Sequence, residues 1–187
     1  MTWRDSGNPI LTITNIVAKI FKTKYNIVMK NLYNYFKNYN VVKIDNSNIE
    51  EVFKLCKHNT KYYEYLQEHP TLDGVRNILT ELPPNTTLNN KHFVGFYQNN
   101  KLVAILDLID GYPNKNMAFI GLFMVDINLQ GLGVGKNIIK QLLRFLKNKK
   151  YISCDLGVIE TNVEATEFWN KLGFTKTGQI FNHENIM

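Results

Sequence analysis

A short glycine-rich loop between an apolar run and a helical pattern places the strongest constraint on this fold. The segment FMVDINLQGLGVGKNIIKQLL (123–143) has glycines at alternate positions, Gly131, Gly133 and Gly135. Glycine inside regular structure costs roughly 0.5–1 kcal/mol relative to alanine, so this cluster indicates a close approach to the backbone. The first turn of a helix presents unpaired N–H groups, and the helix dipole favours anions there. The loop therefore predicts a strand–turn–helix unit that binds a pyrophosphate.

Two common phosphate-loop patterns are excluded by the residues that carry their mechanism. The Walker pattern requires glycine at 130 and serine or threonine at 137, where the chain has Gln130 and Asn137. The dinucleotide pattern GxGxxG, started at Gly131, requires glycine at the position of Lys136. A glycine turn without a ligand is the structural alternative.

Two separate motifs resemble the GNAT superfamily of N-acetyltransferases. QGLGVG (130–135) matches the family's Q/R-x-x-G-x-G/A acyl-CoA loop, and Val125 stands five residues ahead of Gln130, as in the family. NVEATEFWNKLGF (162–174) is similar to the closing signature N-x-x-A-x-x-F-Y-x-x-x-G-F. The matching positions of that signature are Asn162, Ala165, Phe168, Gly173 and Phe174. The resemblance covers roughly residues 41–181.

The resemblance implies acetyl-CoA as a co-substrate. The histidines and cysteines show no metal-ligand spacing, so no metal is expected. In the family, the strand before the loop binds the pantetheine arm through its backbone, the loop surrounds the pyrophosphate, and the last helix contacts the thioester side. The expected cofactor-binding residues are Phe123, Met124, Val125, Gln130, Gly131, Leu132, Gly133, Val134, Gly135, Lys136, Asn162 and Phe168. A place in the hydrophobic core is an equal alternative for Phe168.

The catalytic groups are less clearly marked than the cofactor loop. Trp169 stands where many relatives have a tyrosine that protonates the departing thiolate, and an indole N–H is no acid near neutrality. A thiol has a pKa of about 8.5, so the thiolate is a tolerable leaving group without an acid. Asp107 lies within the apolar run VAILDLID and is a candidate base for the acceptor amine, with a structural aspartate as the alternative.

The acceptor is expected to be a primary amine on a small molecule or peptide. Tyr62, Tyr63, Glu64 and Tyr65 fall where the family has its variable acceptor loop, and aromatic rings with one acid suit a cationic amine. A packed loop cover is the equal alternative. The sequence does not rank polyamine, antibiotic, amino acid or protein N-terminus.

The order of apolar and helical patterns predicts one mixed α/β domain of the GNAT type. The resemblance implies a mostly antiparallel sheet, splayed between its fourth and fifth strands, with helices on both faces. Strands are predicted at 41–44, 92–98, 101–110, 117–125, 152–159 and 174–181, and helices at 47–58, 71–82, 135–147 and 162–172. Residues 59–70 are predicted to be a loop.

The first forty residues lie outside the resemblance. We divide the chain into an N-terminal extension at 1–40, of uncertain role, and an acetyltransferase domain at 41–187. The segment 8–28 is compatible with a helix or strand packed on the domain, or with an extension outside it. Met29 follows, so translation could also begin there.

Charge and cysteine content limit the classes of partner and the compartment that are expected. The net charge of +6 is spread along the chain without a basic stripe, so no nucleic-acid partner is expected. No segment approaches the ~20 apolar residues of a membrane span, so no membrane partner is expected either. Cys56 and Cys154 belong to no metal or disulfide pattern, which predicts a cytoplasmic protein. Monomer and homodimer both remain open, although members of the family often pair.

The predicted activity is direct transfer of an acetyl group from acetyl-CoA to the amine. The alternative is a non-catalytic acyl-CoA-binding sensor, which Trp169 would favour. A third class is a basic nucleic-acid or membrane module built on residues 1–40.

Overall fold

The structure is a computed structural model that describes residues 10–16 and 32–181. Its strands are β1 Ile10–Ile16, β2 Asn40–Lys43, β3 Lys91–Gln98, β4 Lys101–Asp110, β5 Met117–Val125, β6 Ser153–Ile159 and β7 Thr175–Phe181. Its helices are α1 Leu32–Tyr35, α2 Ile49–His58, α3 Thr60–Leu66, α4 Leu72–Asn77, α5 Val134–Asn148 and α6 Val163–Asn170. Short 3₁₀ turns at Leu88–Asn90 and Ile127–Leu129 precede β3 and the glycine loop.

The seven strands form one mixed sheet in the order β2-β3-β4-β5-β6-β1-β7. Strands β2 to β5 run antiparallel to one another, since short turns connect β3, β4 and β5. The turn between β3 and β4 is Asn99-Asn100, with φ values of 48° and 60° that suit a two-residue hairpin. Strand β6 joins β5 in parallel after the crossover through α5. This mixed sheet confirms the predicted fold class.

Helices cover both faces of the sheet, as predicted. One core cluster joins α1, α5 and α6 to the sheet, and the other joins α2, α3 and α4 to the opposite face. The buried stripe of α5 consists of Ile138, Ile139, Leu142, Phe145 and Leu146. Its spacing follows the helical period, so one face of α5 turns to the core.

Strand β1 lies within the sheet, between β6 and β7, and is antiparallel to both. It belongs to the segment for which the sequence left helix, strand or external extension open. On the same side of the predicted boundary at residue 40, Leu32 and Phe36 are buried in the core. The boundary itself stays a prediction.

Most element positions agree with the sequence patterns, and one segment was predicted wrongly. Strands β4 and β5 have the predicted bounds, and α5 is one residue longer at each end. The predicted loop 59–70 contains helix α3, whose buried residue is Tyr63. With seven residues, α3 has only about two turns, which is too short for a helical period to be visible in the sequence. Contact with the core stabilises the helix. Helix α4 ends at Asn77, five residues earlier than predicted.

Candidate functional site

The parallel strands β5 and β6 part halfway along their length. Their register runs from Met117 opposite Ser153 to Ile120 opposite Leu156, and ends there although both described strands continue, to Val125 and Ile159. The family's fourth and fifth strands correspond to β5 and β6, because β1 precedes them in the chain. The predicted splay is therefore present. Backbone N–H and C=O groups on the open edge of β5 are left for a ligand.

A bulge in β5 coincides with the point where the two strands part. The register between β4 and β5 shifts between Asp107, opposite Leu122, and Leu108, opposite Ile120, which leaves Gly121 as the extra residue. A bulge bends its strand and increases the local twist. A Cβ atom added at Gly121 would lie 2.9 Å from Oδ2 of Asp107, so the carboxylate occupies the space of a side chain. A lone glycine in an apolar strand indicates such a bulge, and we missed that signal.

The glycine loop has the backbone geometry of an anion-binding turn. Gly131 and Gly133 have φ values of +76° and +85°, in the left-handed region that favours glycine. Gly133 directly precedes α5, and the first helical hydrogen bond runs from Asn137 N to Gly133 O at 2.9 Å. The amides of Val134, Gly135 and Lys136 precede that bond and have no partner within the helix. A Cβ atom at Gly131 or Gly133 would meet no described atom within 4 Å, so the cradle has room for a phosphate.

Gly135 is the point where strand, loop and closing helix meet. A Cβ atom there would lie 3.2 Å from Cγ2 of Val125 and 3.3 Å from the ring of Phe168. The ring of Phe168 also stacks on Phe123, with ring centroids 6.2 Å apart and an interplanar angle of 17°. Both phenylalanines are half-buried. The closing helix α6, which is distant in the sequence, thus packs against the junction between β5 and α5.

The remaining predicted cofactor residues have different environments. Leu132 is 72% exposed, Lys136 is exposed, Met124 is buried, and Val134 is half-buried. Asn162 directly precedes α6, where its Oδ1 accepts a hydrogen bond from Ala165 N at 2.9 Å. That oxygen is therefore engaged in capping the helix. The cofactor role predicted for each of these residues stays a prediction.

Gln130 points back into the fold. Its Nε2 donates to Val125 O at 3.1 Å and to Oδ1 of Asn59 at 2.7 Å. Asn59 lies at the corner between α2 and α3 and is 2% exposed. Sequence reasoning missed Asn59, because no local pattern joins it to a loop 71 residues away.

Trp169 is a core residue. It is 6% exposed, and its ring lies 4.9 Å from that of Phe174, 5.0 Å from Phe168 and 6.0 Å from Phe123, centroid to centroid. These edge contacts are typical of packed aromatic clusters. The indole thus packs against the rings of Phe123 and Phe168 from the core.

Asp107 is buried and paired with a lysine that sequence reasoning missed. Its Oδ2 accepts a hydrogen bond from Lys91 Nζ at 2.7 Å, and that ammonium also donates to Glu81 O at 3.0 Å. Burial raises the pKa of Asp107, and the charge of Lys91 opposes that rise. Oδ1 of Asp107 has no hydrogen-bond partner among the described residues. A carboxylate with a raised pKa and one unused oxygen fits a proton acceptor.

The four predicted acceptor-loop residues all lie on α3. Tyr63 is 7% exposed and packs in the core, with its ring 5.4 Å from the ring of half-buried Tyr62. Burial raises the pKa of both phenols, so both are neutral at physiological pH. Glu64 is exposed and Tyr65 is half-buried. Their acceptor role stays a prediction, and Glu64 and Tyr65 are the better exposed pair.

Metal ligands and membrane spans were also sought. Within residues 10–16 and 32–181, no group of three His, Cys, Asp or Glu side chains could hold a metal ion. In the same described part, no helix is long and apolar enough to cross a membrane. Cys56 and Cys154 are buried free thiols.

Comparison with known sequences identifies one family. The family model described as the acetyltransferase (GNAT) family matches residues 50–174. A probable spermine N(1)-acetyltransferase of Bacillus subtilis subsp. natto is 33% identical over 101 residues. That match spans 50% of this chain and 66% of the relative, just under two thirds of its length. A spermine/spermidine N(1)-acetyltransferase of Bacillus subtilis strain 168 matches to the same extent.

Solved structures share the fold at low sequence identity. An acetyltransferase from Thermus thermophilus superposes with a TM-score of 0.62 at 19% identity, over 75% of this chain and 89% of that one. The PaiA N-acetyltransferase from Thermoplasma acidophilum, solved in complex with coenzyme A, gives 0.55 at 16% identity, over 73% and 89% of the two chains.

Proposed function

Because the chain belongs to the GNAT family of acetyltransferases, we propose that it transfers an acetyl group from acetyl-CoA to a primary amine. The observation that carries this proposal is the junction between β5 and β6, which opens beside the glycine-started helix α5. An extended strand edge suits a pantetheine arm, and a bare helix N-terminus suits a diphosphate. Acetyl-CoA would supply the activated thioester.

The cofactor half of the site would act through its backbone. The amides from Gly131 to Lys136 would bind the diphosphate, and the Lys136 side chain would add positive charge. The open edge of Phe123, Met124 and Val125 would hold the pantetheine arm in line with the acceptor. Phe168, stacked on Phe123, would form an apolar wall of the opening. Asn162, at the start of α6, would contact the thioester side with its amide N–H groups.

Asp107 would accept the proton from the amine. The amine nitrogen attacks the thioester carbonyl carbon, a C–N bond forms, the nitrogen releases its extra proton to solvent, the C–S bond breaks, and coenzyme A leaves as its thiolate. The ammonium form must first lose a proton, and Oδ1 of Asp107 is a buried acceptor without a described partner. Lys91 would hold the carboxylate in place. Trp169 supplies no proton, so the thiolate would be protonated by solvent.

The acceptor is proposed to be a cationic alkylamine, with polyamines as the first class to test. Two relatives carry names that specify spermine or spermidine acetylation. On α3, Tyr62 and Tyr65 would present ring faces to such a cation, Glu64 would present a charge, and buried Tyr63 would support them. We place the protein in the cytoplasm, a reducing compartment, which agrees with its two buried free thiols. Either a monomer or a homodimer would serve this reaction.

The function is tested by binding and turnover measured separately. Titration calorimetry with coenzyme A should give heat with a 1:1 stoichiometry, and thiol release should accelerate when spermine or spermidine is added. No binding of coenzyme A would refute the whole proposal. Binding without turnover on polyamines, amino acids, aminoglycosides and peptide N-termini would instead favour the acyl-CoA sensor, which the buried position of Trp169 allows.

A further inference from the structure

The corner between helices α2 and α3 contacts the glycine loop through one buried side chain. Asn59 is 2% exposed and separates His58, the last residue of α2, from Thr60, the first of α3. Its Nδ2 donates to Leu55 O at 2.9 Å, which fixes the amide on the end of α2. Its Oδ1 is thereby aimed at Gln130, whose Nε2 it accepts at 2.7 Å.

The loop that Gln130 anchors has little restraint of its own. The backbone bonds from Gln130 N to Ile127 O and from Leu132 N to Leu129 O are both 3.4 Å, long for an N–H···O bond. Cβ atoms at Gly131 and Gly133 would touch no described atom, so the loop does not pack against the body there. The bonds of Gln130 to Asn59 and to Val125 O therefore join the loop to two rigid elements, α2 and β5.

We propose that Asn59 is a positioning residue for the pyrophosphate-binding loop. By holding Gln130, it keeps the amides from Gly131 to Lys136 in the orientation that a diphosphate requires before the ligand arrives. A pre-organised site loses less conformational freedom on binding, so its affinity is higher. This inference rests on the proposed function and adds to it a residue that lies outside both sequence motifs.

A second contact of the same corner supplies a matched control. Lys61 forms an ion pair with Glu164 in the first turn of α6, and both side chains are more than half exposed. The hydrogen bond to Glu164 raises the pKa of Lys61. Exposed pairs of this kind contribute little, so Lys61→Ala should change the affinity for coenzyme A less than about twofold. Asn59 differs because its own side chain is buried and its bond to Gln130 is partly buried.

The test compares two acetyl donors that differ in the diphosphate. Asn59→Ala should weaken coenzyme A binding about tenfold, as expected for a lost hydrogen bond of a buried side chain worth about 1.4 kcal/mol. The KM for acetyl-CoA should rise by the same factor, while kcat at saturation and the KM for the amine should stay within about twofold. The kcat/KM for S-acetylpantetheine, which has no diphosphate, should change less than about threefold.

Gln130→Ala tests the same contact from the loop and serves if Asn59→Ala does not fold. It should show at least the same loss, because it also removes the bond to Val125 O. The double variant should be no worse than Gln130→Ala alone, because the two single variants share the bond between Asn59 and Gln130. The inference is overturned if Asn59→Ala and Gln130→Ala leave coenzyme A affinity unchanged, or if both donors lose equally. Failure of the wild-type protein to bind coenzyme A would instead refute the proposed function, so the two failures are distinguishable.

Discussion

The two edges of strand β6 differ along the same residues. Facing β1, all seven residues of β6 are in register, from Ser153 opposite Ile16 to Ile159 opposite Ile10. Facing β5, the register ends at Leu156. Residues 157–159 of β6 therefore pair with β1 on one edge, but they do not pair with the described strand β5 on the other.

This difference locates the cause of the opening in β5. Residues 157–159 of β6 pair without difficulty on the β1 side, so their own conformation does not prevent pairing. On the other side, β5 carries the Gly121 bulge, with the Asp107 carboxylate against it. Beyond the bulge, Phe123 is stacked on Phe168 of α6. The opening therefore depends on β5 and α6, while β1 stabilises the closed edge.

Starting the chain at Met29 should have the largest effect, because it removes β1 and with it the closed edge. Two strands would lose their shared neighbour, and their backbone groups would be unpaired. We expect the loss of most of the roughly 5–15 kcal/mol that stabilises a typical domain, measured by urea unfolding. Thr14→Pro in the full chain should also destabilise strongly, since β1 is paired on both edges.

A peptide of residues 8–18 provides the control for this truncation. Added to the shortened chain, it should restore part of the stability, because the gap between β6 and β7 would be filled again. A shortened chain as stable as the full one would show that β1 contributes nothing to the stability of the domain.

On the open edge, Asp107→Asn should lower kcat about 10²-fold or more, the range for a lost general base. Removing one member of a buried ion pair also costs about 3–5 kcal/mol of stability, which would confuse the interpretation. The double variant Lys91→Met with Asp107→Leu removes both charges and should unfold near the wild-type urea concentration. If that stable double variant keeps wild-type kcat, Asp107 is a structural aspartate.

Gly133→Val should lower coenzyme A affinity about 100-fold, or ~2.7 kcal/mol, since a side chain would enter the space proposed for the diphosphate. Left-handed backbone strain of about 1–2 kcal/mol also accompanies the change. Gly178→Val is the matched control, because Gly178 has a φ of +80° and equally open surroundings but lies on β7. Both variants should lose similar stability, and calorimetry should find weakened binding only for Gly133→Val. If both variants bound coenzyme A with the same affinity, the glycine loop would not be the diphosphate site.

The pH dependence should show the raised pKa of Asp107 in two ways. A base acts when deprotonated, so kcat should rise with pH through a limb above the ordinary aspartate value of 3.8. The folded chain holds this proton more tightly than the unfolded chain, so its contribution to stability is greatest below 3.8 and declines as pH rises through the folded-state pKa. Subtracting the unfolding free energy of the double variant at each pH isolates this contribution. A limb of the kcat profile at or below pH 3.8 would contradict the assignment of Asp107 as the base.

Trp169→Tyr should have the smallest effect. The phenol restores the residue type found in many relatives, but Trp169 is buried among three rings and the thiolate leaves without help. We expect kcat to change less than about threefold, with a stability loss on the order of 1 kcal/mol from the smaller ring. A large gain in kcat would mean that protonation of the thiolate limits the reaction.

The sequence by itself determined the unit formed by β5, the glycine loop and α5. Strand β5, the loop with Gly131 and Gly133, and helix α5 are contiguous, so apolar runs, helical period and glycine spacing all register within one short window. The predicted splay between β5 and β6 followed from the family resemblance and is confirmed. Local backbone preferences and the spacing of residues close together in the chain can be read directly from the sequence.

Only the tertiary structure decided the surroundings of Asp107 and the support of the loop. Lys91 meets Asp107 across two strands, Asn59 meets Gln130 from 71 residues away, and β1 joins the sheet between two strands from the far end of the chain. Each contact depends on how elements dock, and docking is governed by burial over the whole core. Helix α3 illustrates the same limit, since its seven residues are stabilised by contact with that core.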